Sequence, residues 1–187
     1  MIIGGLGDSN TQAHWPTVGT LRWVEYAAGF APAWTWRNYG AGGGTVCDPG
    51  LPWPWAQPQL AQAIAAGCTH VIAAFGTNDI LVLAKTRDQI IEGYCALVAA
   101  AEAAGLVPLI ATTPRCDVPG AQVQIDALNQ RLLLLEKNYG WHLVDFDSGD
   151  LVDALALPDL VHVSDAAQTA RAMRAVDALL ALEGGFP

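Results

Sequence analysis

Short apolar, partly β-branched runs alternate with longer stretches of helical period along the whole chain, and few folds accommodate that alternation. Runs of this kind are too short for buried helices and lack the polar alternation of a half-exposed strand, so they read as parallel strands covered on both faces. The expected strands are Ile2–Leu6, Thr35–Tyr39, His70–Phe75, Leu106–Thr112 and His142–Phe146. Between and after them, 18–29, Pro58–Ala66, Arg87–Ala104, Ala121–Asn138 and Asp165–Leu182 read as helices. In the clearest of these, Ile90, Ile91, Tyr94, Leu97 and Val98 form one stripe and Gly105 stops the helix. Tyr139-Gly140 ends the following helix in a similar way, and Ser164 is placed to cap the last. Five βα units without a composition break, across 187 residues, predict one doubly wound α/β domain spanning 1–187. The one biased segment runs from Gly40 to Pro58 and carries Gly42-Gly43-Gly44 and four prolines, so it is expected to be a long loop.

Charge narrows the partners. Only 14% of residues are charged, and 18 acidic against 9 basic side chains leave a net charge of -9. A basic surface for nucleic acid or for anionic membranes is therefore missing. The longest apolar stretch, Ala96–Ala111, is broken by Glu102, Gly105 and Pro108, which excludes a bilayer span. No basic leader precedes the first strand, so the expectation is a cytoplasmic protein, or a secreted one whose leader has been removed. Cysteines 47, 68, 95 and 116 show no zinc spacing and read as reduced, mostly buried thiols, with a Cys47–Cys116 bridge as the alternative. Self-association into a homo-oligomer is compatible with all of this.

Polar chemistry is scarce. The chain has three serines (Ser9, Ser148, Ser164) and four histidines (His14, His70, His142, His162). Open parallel sheets bind ligands beyond the carboxyl ends of their strands. His70 and His142 begin strands and fall on the opposite edge, whereas His14 and His162 follow strand ends. The same edge collects Gly7-Asp8-Ser9-Asn10-Thr11 after the first strand and 38–45, NYGAGGGT, after the second. It also collects Gly76-Thr77-Asn78-Asp79 after the third and Asp159-Leu160-Val161-His162 beyond the fifth. A hydroxyl, glycine amides, a side-chain amide, and an imidazole with a carboxylate are the parts needed for acyl transfer by a serine nucleophile.

On these four blocks, in this order, the chain resembles the SGNH hydrolases, the GDSL-like lipase/acylhydrolase/esterase family. The resemblance implies a three-layer αβα sandwich, a flavodoxin-like sheet of about five parallel strands in the order 2-1-3-4-5. It implies Ser9 as nucleophile, His162 as base and Asp159 as the carboxylate behind the base, with no cofactor and no metal. It assigns the oxyanion hole to the backbone amides of Ser9 and Gly43 and the side-chain amide of Asn78. Gly44 stands where the family's N-x-x-x-x-G-D-T block has Asp, and Asp79 reads as a structural acceptor for the Asn78 loop. The family's last block is usually D-G-x-H-P, but here Leu160 and Val163 replace its Gly and Pro. Asp165 is a weaker alternative to Asp159.

The implied activity is hydrolysis of short acyl esters, either acetyl esters of carbohydrates or simple aryl and alkyl esters, through an acyl-enzyme. Thioesterase or acyltransferase chemistry would use the same residues, and a non-catalytic flavodoxin-like binding module is the reading from another class. Substrate contacts are expected from His14, Trp53, Trp55 and Arg115. The two tryptophans flank Pro54 in the loop leaving the oxyanion glycine, where rings either stack on a substrate or anchor the loop.

Overall fold

The computed structural model describes residues 1–12, 22–147 and 161–184. Five strands form one parallel sheet: β1 (Ile2–Gly7), β2 (Thr35–Asn38), β3 (His70–Ala74), β4 (Val107–Ala111) and β5 (His142–Val144). Their order is β2-β1-β3-β4-β5, as expected from the sequence. Around them run α1 (Trp23–Phe30), α2 (Ala56–Ala65), α3 (Thr77–Leu81), α4 (Arg87–Ala103), α5 (Ala121–Tyr139) and α6 (Asp165–Leu182).

Two apolar clusters, one on each side of the sheet, make the three layers. On one face Leu60 and Ala63 of α2, Tyr94 and Leu97 of α4, and Ile125 and Leu128 of α5 pack on Leu6, Val71 and Ile110. On the other, Trp23 and Ala27 of α1 and Ala172, Ala175 and Leu179 of α6 pack on Ile3, Ile72, Leu109 and Val144. Trp23 is the largest wholly buried side chain; its ring meets Phe146 edge-on at 5.3 Å and its indole N–H reaches Thr11 Oγ1. Such aromatic bulk supplies much of the burial free energy of a small core. β1 makes room for it with Gly5, where a Cβ would lie 3.1 Å from the Trp23 ring.

Helix starts follow their caps. The hydroxyl of Thr86 accepts from Gln89 N while Gln89 Oε1 accepts from Thr86 N, so α4 begins at Arg87 as expected. Ser164 Oγ accepts from Ala167 N, and α6 begins at Asp165. Two other starts differ from the sequence reading. α1 begins at Trp23, behind an extended Arg22 whose N–H donates to Glu25 Oε2, and residues 18–21 of the expected helix lie outside the described residues. α2 begins at Ala56, so Pro58 lies inside its first turn, where a missing N–H costs nothing. The short α3 after β3 was not anticipated at all.

β1 and β3 are in register from Ile3 opposite His70 to Gly7 opposite Ala74, which brings the loops after them side by side at one edge. All four cysteines are free thiols, so no bridge joins Cys47 to Cys116; Cys95 is exposed rather than buried. Among the described residues, no helix is long and apolar enough to cross a membrane.

Candidate active site

At the carboxyl edge of β1 the chain turns sharply. Asp8 O accepts from both Thr11 N and Gln12 N, and Asp8 Oδ1 accepts from Asn10 N at 2.8 Å. This turn lifts Ser9 off the strand end. Gly7 beneath it is clamped by Gln59 of α2, whose amide donates to Gly7 O and accepts from Gly7 N. A Cβ at Gly7 would lie 2.7 Å from Ala74 O, too close for any side chain.

His162 arrives from the segment before α6, and its Nε2 lies 2.7 Å from Ser9 Oγ. That is hydrogen-bond distance between the two groups expected to act as base and nucleophile. Asp159 and His14 fall outside the described residues. His70 and His142 open β3 and β5 at the far edge of the sheet, as expected.

The glycine loop closes the other side. Gly43 has φ +77°, a backbone region that favours glycine, and a Cβ there would lie 2.9 Å from the Trp53 ring. The next residue must also be small: a Cβ on Gly44 would meet Gly7 O at 2.7 Å, which gives a physical reason for Gly where the family pattern has Asp. The peptide joining them is pinned at both ends, since Gly44 N donates to Ala41 O and the Trp53 indole donates to Gly43 O. Asn78 at the start of α3 donates through Nδ2 to Gly44 O at 3.1 Å. Asp79, fully buried, accepts from Val46 N and Cys47 N at 3.0 and 2.9 Å, fastening the far side of the loop to α3. Burial raises the Asp79 carboxyl from its ordinary range, and those two amides offset part of the rise.

A cavity of about 470 Å³ opens over these groups, lined by Ser9, Gly42, Gly43, Trp53, Asn78, Val161 and His162. Trp53 is thus at the cavity and bonded to the loop at once. Trp55 and Arg115 are not among the lining residues. Trp55 is half-buried at the N-cap of α2, on the Thr45 bridge, and Arg115 points to Asp117 at 4.0 Å on the surface. No group of three or more His, Cys, Asp or Glu suited to a metal ion occurs among the described residues.

A buried polar layer lies under the Ser9 turn, and sequence reasoning missed it. Asp8, Asn10, Gln168 and Arg171 are all nearly inaccessible. Burial pushes the Asp8 carboxyl up to about 6, opposed by the Asn10 amide and by the charges of Arg171 and His162. Burial likewise brings the Arg171 guanidinium down to about 10, with Asp8 and Asp147 pulling the other way. Arg171 stacks over the Phe146 ring at 5.6 Å. Helical spacing placed Gln168 and Arg171 beside Ala172 and Ala175 on the buried face of α6, the one signal that could have revealed them.

A parallel doubly wound sheet with a serine and a histidine in contact at its carboxyl edge defines a class, the αβα hydrolases. The sequence profile of the GDSL-like Lipase/Acylhydrolase family matches residues 6–170, and the chain belongs to that family. Among solved structures, a member of the lipolytic protein G-D-S-L family from Veillonella parvula DSM 2008 superposes with a TM-score of 0.74 at 19% identity, covering 94% of this chain and 96% of that one. The psychrotrophic esterase EstA from Pseudoalteromonas sp. gives 0.72 at 18% identity, covering 98% of each chain. Axe2, an acetylxylan esterase from Geobacillus stearothermophilus, gives 0.67 at 18% identity, covering 100% of this chain and 94% of that one. At these identities the likeness shows the fold. No curated protein matches the sequence.

Proposed function

We propose that the protein is a serine esterase that cleaves short acyl esters, acetyl esters of carbohydrates or simple aryl and alkyl esters, through an acyl-enzyme. The observation that carries this reading is the 2.7 Å contact between Ser9 Oγ and His162 Nε2, at the mouth of a cavity that also exposes Gly43 and Asn78. Ser9 Oγ attacks the ester carbonyl as His162 takes its proton, and His162 returns that proton to the leaving alcohol. Asp159 orients and stabilises the imidazolium. The oxyanion is received by the amides of Ser9 and Gly43 and by Asn78 Nδ2, which gives one hydrogen to Gly44 O and has a second to give. A water then repeats the sequence on the acyl-enzyme. The cavity, about 470 Å³, lies in the lower half of the range of roughly 300–1,000 Å³ usual for small-ligand sites, which favours a short acyl group. Trp53, beside the cavity, offers a flat face for an aryl or sugar ring.

The test is p-nitrophenyl ester hydrolysis over a series of acyl lengths, beside acetylated xylo-oligosaccharides. Acetate or propionate is expected to be the best acyl group, and Ser9→Ala and His162→Ala are each expected to lose all but a few per cent of activity while keeping the wild-type Tm. A preference for acyl chains beyond about eight carbons would refute the short-chain assignment. An active His162→Ala would refute the mechanism.

A further inference from the structure

The Asn10 side chain, by holding Val163, sets the separation across which Ser9 and His162 exchange a proton: we infer this positioning role from three bonds that meet at one buried residue, and it rests on the reading of Ser9 and His162 as nucleophile and base. Asn10 follows Ser9 in the chain, and Val163 follows His162. Val163 N donates to Asn10 Oδ1 at 3.3 Å, so the turn carrying the nucleophile and the segment carrying the base are tied one residue beyond each reacting group. The backbone of Asn10 is held independently. Its N–H donates to Asp8 Oδ1 at 2.8 Å, and its carbonyl accepts from Gln168 Nε2 at 3.0 Å. Gln168 Oε1 in turn accepts from Trp23 N at 3.1 Å, which anchors the tie to α1 and α6. Asn10 and Val163 are 5% and 3% exposed, so water does not compete strongly for this bond.

Position 10 is Asn where the name G-D-S-L has Leu, and position 163 is Val where the usual block ends in Pro. Leu offers no acceptor and Pro has no N–H, so the usual pair cannot form this bond and the pair present here can. Removing it frees the base segment on its nucleophile side without touching either reacting group.

The experiment compares wild type, Asn10→Leu, Val163→Pro and the double variant, all as the full chain, by p-nitrophenyl acetate kinetics, thermal unfolding and the rate of Ser9 labelling by a fluorophosphonate. Asn10→Leu is expected to lower kcat by about 10- to 100-fold, the order of loss that sub-ångström to 1 Å misplacement produces. KM is expected to stay within about twofold, since the ground-state contacts of the ester are intact. Labelling should slow in parallel with kcat. The Tm of Asn10→Leu is expected to fall by several degrees, because the buried Val163 N–H loses its acceptor, and the double variant to recover part of that loss, because Val163→Pro removes the orphaned N–H. The double variant should be no slower than the slower single variant, as for two halves of one interaction. If Val163→Pro does not fold, Asn10→Leu decides alone. An Asn10→Leu enzyme with wild-type kcat overturns the inference, as does one whose activity falls only in step with lost folded protein. A wild type that neither hydrolyses the ester nor takes the label overturns the esterase reading and this inference with it, whereas an active wild type with an unaffected Asn10→Leu overturns this inference alone.

Discussion

Asp8 is a carboxylate that the fold would rather keep protonated, and the cost has a predictable pH dependence. Its side chain is buried under the Ser9 turn, where desolvation raises its pKa from 3.8 to about 6 despite the nearby charges of Arg171 and His162. Well below pH 3.8 the group is protonated in both folded and unfolded chains and makes no difference to stability. As pH rises toward 6 the unfolded chain releases the proton and the folded one keeps it, so stability falls across that window and levels off above it. A shift of about two units at 1.36 kcal/mol each amounts to roughly 3 kcal/mol in all, of which roughly 2 kcal/mol falls between pH 4 and pH 7, since the unfolded carboxyl is already part-ionised at pH 4. Asp8→Asn keeps the oxygen that accepts from Asn10 N and removes the titration. Urea denaturation of both proteins at unit steps from pH 4 to 8 gives the difference in unfolding free energy at each pH. That difference is expected to move by about 2 kcal/mol in favour of Asp8→Asn between pH 4 and 7, whatever its constant offset from the changed field at Arg171. Parallel stability curves, or a difference that moves the other way, would refute the argument that burial dominates at Asp8.

Two further outcomes test the loop and the core. Gly43→Ala should fold, since a left-handed alanine costs on the order of 1–2 kcal/mol. Its Cβ, however, would displace the Trp53 ring now 2.9 Å away, and kcat for p-nitrophenyl acetate should fall by about 10²- to 10³-fold, the loss typical of one oxyanion donor. Tyr94→Phe tests the core: the buried hydroxyl accepts from Phe75 N and donates to Phe75 O, and that carbonyl also receives Thr113 Oγ1. Only the N–H is left without a partner, so the expected loss is about 2 kcal/mol of stability in urea denaturation, with activity retained.

How far the chain could be read in advance depended on where the signal sits. Strands β1, β3 and β4 are buried on both faces and so appear as apolar runs, which is why the sheet and its parallel character were legible. α4 and α6 start where expected because Thr86 and Ser164 cap them with side chains. α2 starts behind Trp55, which caps with backbone alone and leaves no residue-type signature, and Pro58 drew the expected start too far along. Ser9 and His162 stood out because serines and histidines are few and sheet topology separates the two edges. The layer beneath them did not. Gln168 and Arg171 are polar residues on an amphipathic helix, and such residues ordinarily face water; here they are buried under the Ser9 turn, where Gln168 donates to the Asn10 carbonyl and Arg171 lies near Asp8. That placement depends on the turn's backbone, which the sequence does not display.

The central claim is that His162 activates Ser9 as a nucleophile, and mass spectrometry of the intact protein after treatment with a fluorophosphonate tests it most directly. The account predicts a single adduct on wild type, mapped to Ser9 by peptide analysis, absent from Ser9→Ala and formed at least a hundredfold more slowly on His162→Ala. An unlabelled wild type, an adduct that persists in Ser9→Ala, or a His162→Ala variant labelled at the wild-type rate would contradict it.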